Sequence, residues 1–395
     1  MQTLAIIALK FAVFALVVHL ATVLLALRRL RVPEEKRSEF AKGPPVTIIR
    51  PVRGLAASEE QALRTTFALA YPRYEVLFCC ASPDDDAVPF LRGLIAEYPL
   101  VPGRLLIGDD RISGNPKLNN IAKGWDAAAH AWVVIADSNV DMPRDYLQRL
   151  FAAWTPGTGL VSAPPIGTAP ANTGAELECA VLNTYQARWQ YAADSLGWGF
   201  AQGKTLFWHK ADLEAAGGLK LLGLEPAEDA AATKVVRGLG LRVRLADGAF
   251  PQPLGCKTVA QVWARHVRWA RLRRSTFPLL YALEFFSGLA APLLALVLAS
   301  TVLDFDVLHF AVLYVLAWFS AEAALAAGVG WHLSWRSPVL WVVRELSLPA
   351  LWVQGWLGSS FSWQGNDMSV ARGTQIRSGE VAALTVAGIN GTPDA

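Results

Sequence analysis

The beginning of the chain constrains it most: residues 3–27, TLAIIALKFAVFALVVHLATVLLAL, are apolar over the length of a bilayer helix, interrupted only by Lys10 and His19. A transmembrane helix is predicted there. A cleaved signal peptide has a basic start, a shorter apolar core and a small-residue cleavage site, and none of these stands out. Arg28, Arg29, Arg31, Lys36 and Arg37 follow directly, so the positive-inside rule puts this end and the segment after it in the cytoplasm.

With 53% hydrophobic and 17% charged residues among 395, the chain is too apolar for an ordinary soluble protein and too polar for a many-helix transporter. It reads as a soluble domain tied to a membrane. A net charge of only +3 argues against a general polyanion binder, so no nucleic-acid partner is expected. Cys79 and Cys80 lie in an apolar run and read as a reduced, buried pair. Neither the cysteines nor the six histidines have zinc-ligand spacing.

No stretch from 45 to about 275 could span a bilayer. PVTIIRPV, YEVLFCCA, GRLLIGD, WVVIAD and LVSAPP read as strands buried on both faces, and helical apolar spacing fills 58–70, 86–98, 116–129 and 143–153 between them. Such alternation predicts a doubly wound α/β domain with a mostly parallel sheet. Ligands of that architecture sit at the carboxyl ends of strands, where this chain carries SPDDD and DSNVD. Beyond 277, apolar runs at about 279–303 and 308–330 are transmembrane candidates. A third, 338–358, contains Arg344 and Glu345, which makes an interfacial or re-entrant helix the alternative to a span. The polar tail from about 376 is expected to be mobile.

Asp137 closes the strand WVVIAD and points out of the sheet. An isolated strand-end aspartate is usually a turn former. In this company it is also a candidate ligand for a divalent cation that neutralises a diphosphate, together with Asp141 and with Asn139 as a neutral oxygen donor. SPDDD is a turn by default and a nucleotide contact in its functional reading. In SGNPKLNN, Lys117 and the first-turn amides suit an anionic ligand. Glu228 and Asp229 open a helix, where the dipole alone favours acids, yet Asp229 could also act as a general base. In RHVRWARLRR, helical spacing puts Arg265, Arg268, Trp269 and Leu272 on one face, suited to a diphosphate. Arg271, Arg273 and Arg274 fit a collar for anionic lipid.

Taken together, these motifs resemble the membrane-bound ceramide glucosyltransferases, among the inverting transferases of the glycosyltransferase-A fold. PDDDA, with Asp85 the best match and Asp84 the alternative, resembles the early acidic motif, DSNV with Asp137 the second, and AED with Asp229 the third. Arg265, Arg268 and Trp269 are similar to the closing (Q/R)-x-x-R-W. YPRYEVL, GNPKLNN and AAGGL add to the likeness, which is weaker over VVRE and SFSWQGNDMSVARGT. Where many related transferases have D-x-D, this chain has Asp137-Ser138-Asn139.

The resemblance implies a UDP-sugar donor, UDP-glucose first, a membrane lipid acceptor and a divalent cation, Mg or Mn. Asp85 would contact the nucleotide, Asp137 the metal-bound diphosphate, and Asp229 would be the catalytic base. Arg265 and Arg268 would steady the leaving group, with Trp269 on the acceptor side. The layout is then a transmembrane helix at 1–30, a basic linker at 31–44, a cytoplasmic catalytic domain at 45–277, membrane helices at 278–360 and a tail at 361–395. The rival acceptors are a hopanoid, a diacylglycerol or a growing polysaccharide, the last of which usually needs more membrane helices. A channel is disfavoured because most polar residues lie outside the apolar spans.

Overall fold

The computed structural model describes residues 1–31, 43–363 and 366–370. Most of the 31–44 linker, the tail from 376 and the end of SFSWQGNDMSVARGT lie outside the described residues. The chain divides into a sheet-centred unit (Val32–Ile166, Ala193–Pro253 and Trp363–Ala395) and a helical unit (Met1–Arg31, Gly167–Ala192 and Leu254–Ser362).

The strands are β1 (Val46–Pro51), β2 (Tyr74–Cys80), β3 (Gly103–Ile107), β4 (Trp132–Ala136), β5 (Thr158–Ser162), β6 (Pro165–Pro170), β7 (Thr205–His209), β8 (Arg242–Leu245) and β9 (Phe250–Gly255). Seven form one sheet in the order β3-β2-β1-β4-β7-β5-β8, and the chain passes between the two units along β6 and β9. The pairs among β3, β2, β1 and β4 are parallel, as is β5 with β8, while β7 runs antiparallel to both its neighbours. The five expected strands are present and the sheet is mostly parallel.

Near-continuous apolar strands are what a sheet covered on both faces requires. Ile48, Val76, Phe78 and Val134 face one core with Tyr146, Leu147 and Phe151. Their neighbours Ile49, Leu77, Cys79, Val133 and Ile135 face the other, with Leu118, Trp125, Ala231 and Val235. Cys79 and Cys80 are both buried free thiols.

In the helical unit, Gln2–Leu30 and Val307–Val329 are long and apolar enough to cross a membrane. Leu4, Ile7, Phe14 and Val17 on the first, and Leu308, Leu313 and Leu316 on the second, are exposed. Such faces are costly in water and suited to lipid. The run expected at 279–303 is not one straight helix: Pro278–Phe286 and Ala290–Val302 meet at a 46° bend. Gly288 sits in the break, where an added Cβ would stand 2.7 Å from Glu345 Oε2.

The charges of the third apolar run are not turned to lipid. The Arg344 side chain is fully buried and binds Glu322 of the Val307–Val329 helix through Nη1 at 2.8 Å and Nη2 at 2.9 Å. Its Nη2 also lies 2.6 Å from Glu345 Oε1. Arg344 Nη1 further donates to Ala180 O at 3.0 Å and Thr184 Oγ1 at 2.9 Å. These bonds tie Gly167–Ala192 to the helices, so the stretch 45–277 is shared between the two units.

Candidate functional site

Arg50 shapes the ground on which the acidic end of β4 stands. It is fully buried near the end of β1, and its Nη2 donates to the carbonyls of Asp137 (2.8 Å), Ser138 (2.9 Å) and Val140 (2.9 Å). Nη1 holds Ala62 O at 3.0 Å. Burial lowers its pKa to about 10, and the guanidinium stays charged at neutral pH. The loop after β4 is therefore pinned by its backbone, which leaves the side chains of Asp137 and Asn139 to face the site.

Three more segments deliver charge there. Asn115 caps the Pro116–Ala127 helix, its Oδ1 accepting from Lys117 N at 2.9 Å and Leu118 N at 3.3 Å. Its Nδ2 donates to Glu228 Oε2 at 3.0 Å, linking this cap to the first turn of the Glu228–Gly238 helix. Lys117 Nζ lies 2.7 Å from Asp137 Oδ1, 2.7 Å from Glu228 Oε1 and 2.6 Å from Gly203 O. An ammonium has three protons, and these partners account for all of them. Lys204 Nζ stands 2.9 Å from both Asp137 Oδ2 and Asn139 Oδ1.

Gly203 is required by this crowding, since a Cβ there would lie 2.8 Å from Glu228 Oε1. Its N–H donates to Asp229 Oδ2 at 2.9 Å, and Ala230 N donates to Oδ1 at 2.8 Å. Each oxygen keeps a further lone pair.

The two aspartates are pushed in opposite directions. Burial disfavours the Asp137 carboxylate, but the Lys117 and Lys204 ammonium groups outweigh it and hold its pKa well below the usual carboxylate range. For Asp229, burial and then the neighbouring Glu228 carboxylate raise it to about 6. Neighbouring charge thus favours the ionised form of Asp137, while burial and Glu228 disfavour that of Asp229.

Asp85 is turned inward and Asp84 is exposed. Asp85 accepts from Gly54 N at 2.9 and 3.1 Å, and from Ala87 N at 2.9 Å, joining the loop after β1 to the Ala87–Glu97 helix. Asp141 is half-buried, and its N–H donates to Pro251 O at 2.9 Å. Asp137, Lys117 and Asp229 are thus brought together through Glu228 and Gly203, with Asp85 in the same unit.

Arg265, Arg268 and Trp269 belong to the helical unit, on the Val259–Thr276 helix. Arg265 Nη1 pairs with buried Glu178 at 2.9 Å, and its guanidinium lies 5.8 Å from the Trp269 ring. The arginines expected to form a lipid collar are engaged with the protein. Arg271 Nη2 and Arg274 Nη1 donate to Leu357 O (3.0 Å) and Trp356 O (3.2 Å), capping the Ser337–Trp356 helix, and Arg273 pairs with Glu284 at 2.7 Å. Free carbonyls at a helix end attract such donors.

Asp137 and Asn139 are the side chains that would hold a divalent cation, and both hold Lys204 here. Among the described residues no three His, Cys, Asp or Glu side chains converge as a ligand set. One carboxylate, one amide oxygen and substrate phosphates do suit Mg²⁺, which retains several waters. The donors therefore fit such an ion in kind, provided Lys204 moves aside.

A charged strand-end site on a mostly parallel sheet, carried with membrane-length apolar helices, defines the class: an α/β protein that handles a polar ligand while attached to a bilayer. The family model for glycosyl transferase family 21 matches residues 9–376, nearly the whole chain, and the chain belongs to that family. Ceramide glucosyltransferase 3 of Caenorhabditis elegans is 25% identical over 384 residues, 94% of this chain and 82% of the relative. Ceramide glucosyltransferase 1 of the same organism is 25% identical over 341 residues, 85% and 73% of the two chains. Among solved structures, a mannosyltransferase of Pyrobaculum calidifontis in complex with GDP-Man and Mn²⁺ is similar at a TM-score of 0.48 and 18% identity, covering 89% of this chain and 98% of that one.

Proposed function

We propose that the chain transfers a sugar, glucose first among the candidates, from a UDP-sugar to a hydroxyl of a membrane lipid such as ceramide, with inversion at the anomeric carbon. Asp229 takes the acceptor proton, the acceptor oxygen bonds to the anomeric carbon from the face opposite the diphosphate, and the bond to the diphosphate breaks. UDP leaves with the electron pair. Asp229 stands in the strand-end cluster with its oxygens held by Gly203 N at 2.9 Å and Ala230 N at 2.8 Å, and burial beside Glu228 raises its pKa, so it is a placed carboxylate made more basic; this placement carries the reading.

Asp137 and Asn139 would hold a divalent cation, which when bound supplies charge neutralisation to the diphosphate. Lys117 keeps the Asp137–Glu228 pair balanced beside an anionic donor. Asp85 stands on the nucleotide side, Arg265 and Arg268 steady the leaving diphosphate, and Trp269 lines the acceptor side. The site faces the cytoplasm, as the basic run after residue 27 directs. Family membership and the ceramide glucosyltransferase relatives support donor and acceptor class.

The test is to incubate detergent-solubilised protein with radiolabelled UDP-glucose, Mg²⁺ or Mn²⁺, and ceramide, diacylglycerol or a hopanoid polyol separately, and to follow label into the organic phase. Label in ceramide is expected. Label in no lipid, with UDP-galactose and UDP-N-acetylglucosamine equally silent, overturns the reading.

A further inference from the structure

The ammonium of Lys204 bridges the carboxylate oxygen of Asp137 and the amide oxygen of Asn139 at 2.9 Å each, the two side chains that would hold a divalent ion. The position follows from the fold. Antiparallel pairing sets Ala136 opposite Thr205, and Asp137 N donates to Lys204 O at 3.2 Å, so the residues just beyond the paired ends lie side by side. The Lys204 side chain is 16% exposed, against 7% for Lys117, so it is the more solvent-facing of the two. Lys117 lies against the other oxygen of Asp137, buried and bound between two acids. The two lysines differ in what they join: Lys117 links two acids and the Gly203 carbonyl, while Lys204 bridges the carboxylate and amide oxygens of the one motif.

We propose that Lys204 is a built-in counter-cation that occupies the cation seat of this motif and neutralises the donor diphosphate when no metal is bound. It competes with a divalent ion for Asp137 Oδ2 and Asn139 Oδ1. Two anions, the Asp137 carboxylate and a diphosphate, can share a site only with positive charge between them, and an ammonium on Asp137 supplies one unit of it. A lysine does so as a point charge on a mobile stem, able to withdraw when a more highly charged ion arrives. Where a D-x-D pattern has its second acid this chain has the neutral amide Asn139, and that fits this arrangement: one carboxylate balances an ammonium, whereas two would favour a dication. This inference rests on the UDP-sugar reading above.

The test measures binding rather than turnover. UDP is titrated calorimetrically into full-length protein and into Lys204→Met, Lys204→Arg and Asn139→Ala, with EDTA and with Mn²⁺, while Mn²⁺ alone is followed by electron paramagnetic resonance. Wild type is expected to bind UDP in EDTA within about tenfold of its affinity with Mn²⁺, since an ammonium point charge replaces part of the dication's attraction. Lys204→Met should lose binding in EDTA, regain it with Mn²⁺, and bind Mn²⁺ alone about tenfold more tightly because the competing charge is gone. Lys204→Arg should keep binding in EDTA. Loss of wild-type UDP binding in EDTA overturns the proposal whether or not any variant folds, and so does a Lys204→Met protein that binds UDP in EDTA like wild type. If no protein binds UDP even with Mn²⁺, the donor reading itself falls.

Discussion

Two clusters of buried charge are built from the same materials to opposite ends. In the helical unit, Arg344 is ringed by Glu322 and Glu345 at 2.6 to 2.9 Å, with side chains 0 to 5% exposed. In the sheet unit, Lys117 and Lys204 are bound to Asp137 and Glu228 at 2.7 to 2.9 Å, but Asp137 is 24% exposed. The first cluster is sealed, and its charge is consumed in joining helices where an unpaired ion is costly. The second opens at one edge, next to a carboxyl group whose pKa is raised to about 6. Ion pairing alone therefore does not mark a site. What sets the second cluster apart is that Asp137 stays partly exposed while the carboxyl of Asp229 nearby has its pKa raised.

The sharpest test of that contrast is Asp229→Asn, which should lower transfer by roughly two to four orders of magnitude while calorimetry shows UDP binding retained. Turnover near wild type would remove Asp229 from the role of base. Next comes Arg344→Met, which leaves two acids buried without their cation and should cost about 3–5 kcal/mol of stability. Thermal unfolding in detergent reads this out, and adding Glu322→Leu should recover part of the loss. An unchanged midpoint in Arg344→Met would mean that the sealed cluster is not what holds the helices. Gly203→Ala forces a methyl against Glu228 Oε1 and should cost ~1–3 kcal/mol in distortion at the site. It should weaken UDP binding and lower the unfolding temperature by a few degrees. The smallest effect is on pH dependence: only ionised Asp229 accepts a proton, so kcat/KM should be flat above about 6 and fall below it by about tenfold per unit. A profile with no break near that pH would place the base elsewhere.

Much of this was legible in the sequence for physical reasons. Strands covered on both faces must be unbroken apolar runs, so β1, β2 and β4 could be read directly, and acids that follow such runs, as Asp137 does, leave the core at the strand end. Lys204 and Arg50 were not legible. Lys204 becomes Asp137's neighbour only through the antiparallel register of β7 on β4. Glu228 was visible as a helix-opening acid, but its bond to Lys117 depends on the Asn115 cap meeting it. A lone arginine inside the buried run PVTIIRPV was the one available hint of Arg50's role, since a guanidinium there must find several carbonyls. The fate of Arg344 was hidden for the same reason, its partner Glu322 lying on another helix.

The break at Gly288 bears on how this stretch meets a bilayer. The 13-residue Ala290–Val302 limb is about 20 Å long at 1.5 Å per residue, well short of a hydrocarbon layer of roughly 30 Å. A limb of that length does not cross such a layer by itself, so any crossing there needs the Pro278–Phe286 limb as well and carries the 46° bend into the membrane with it.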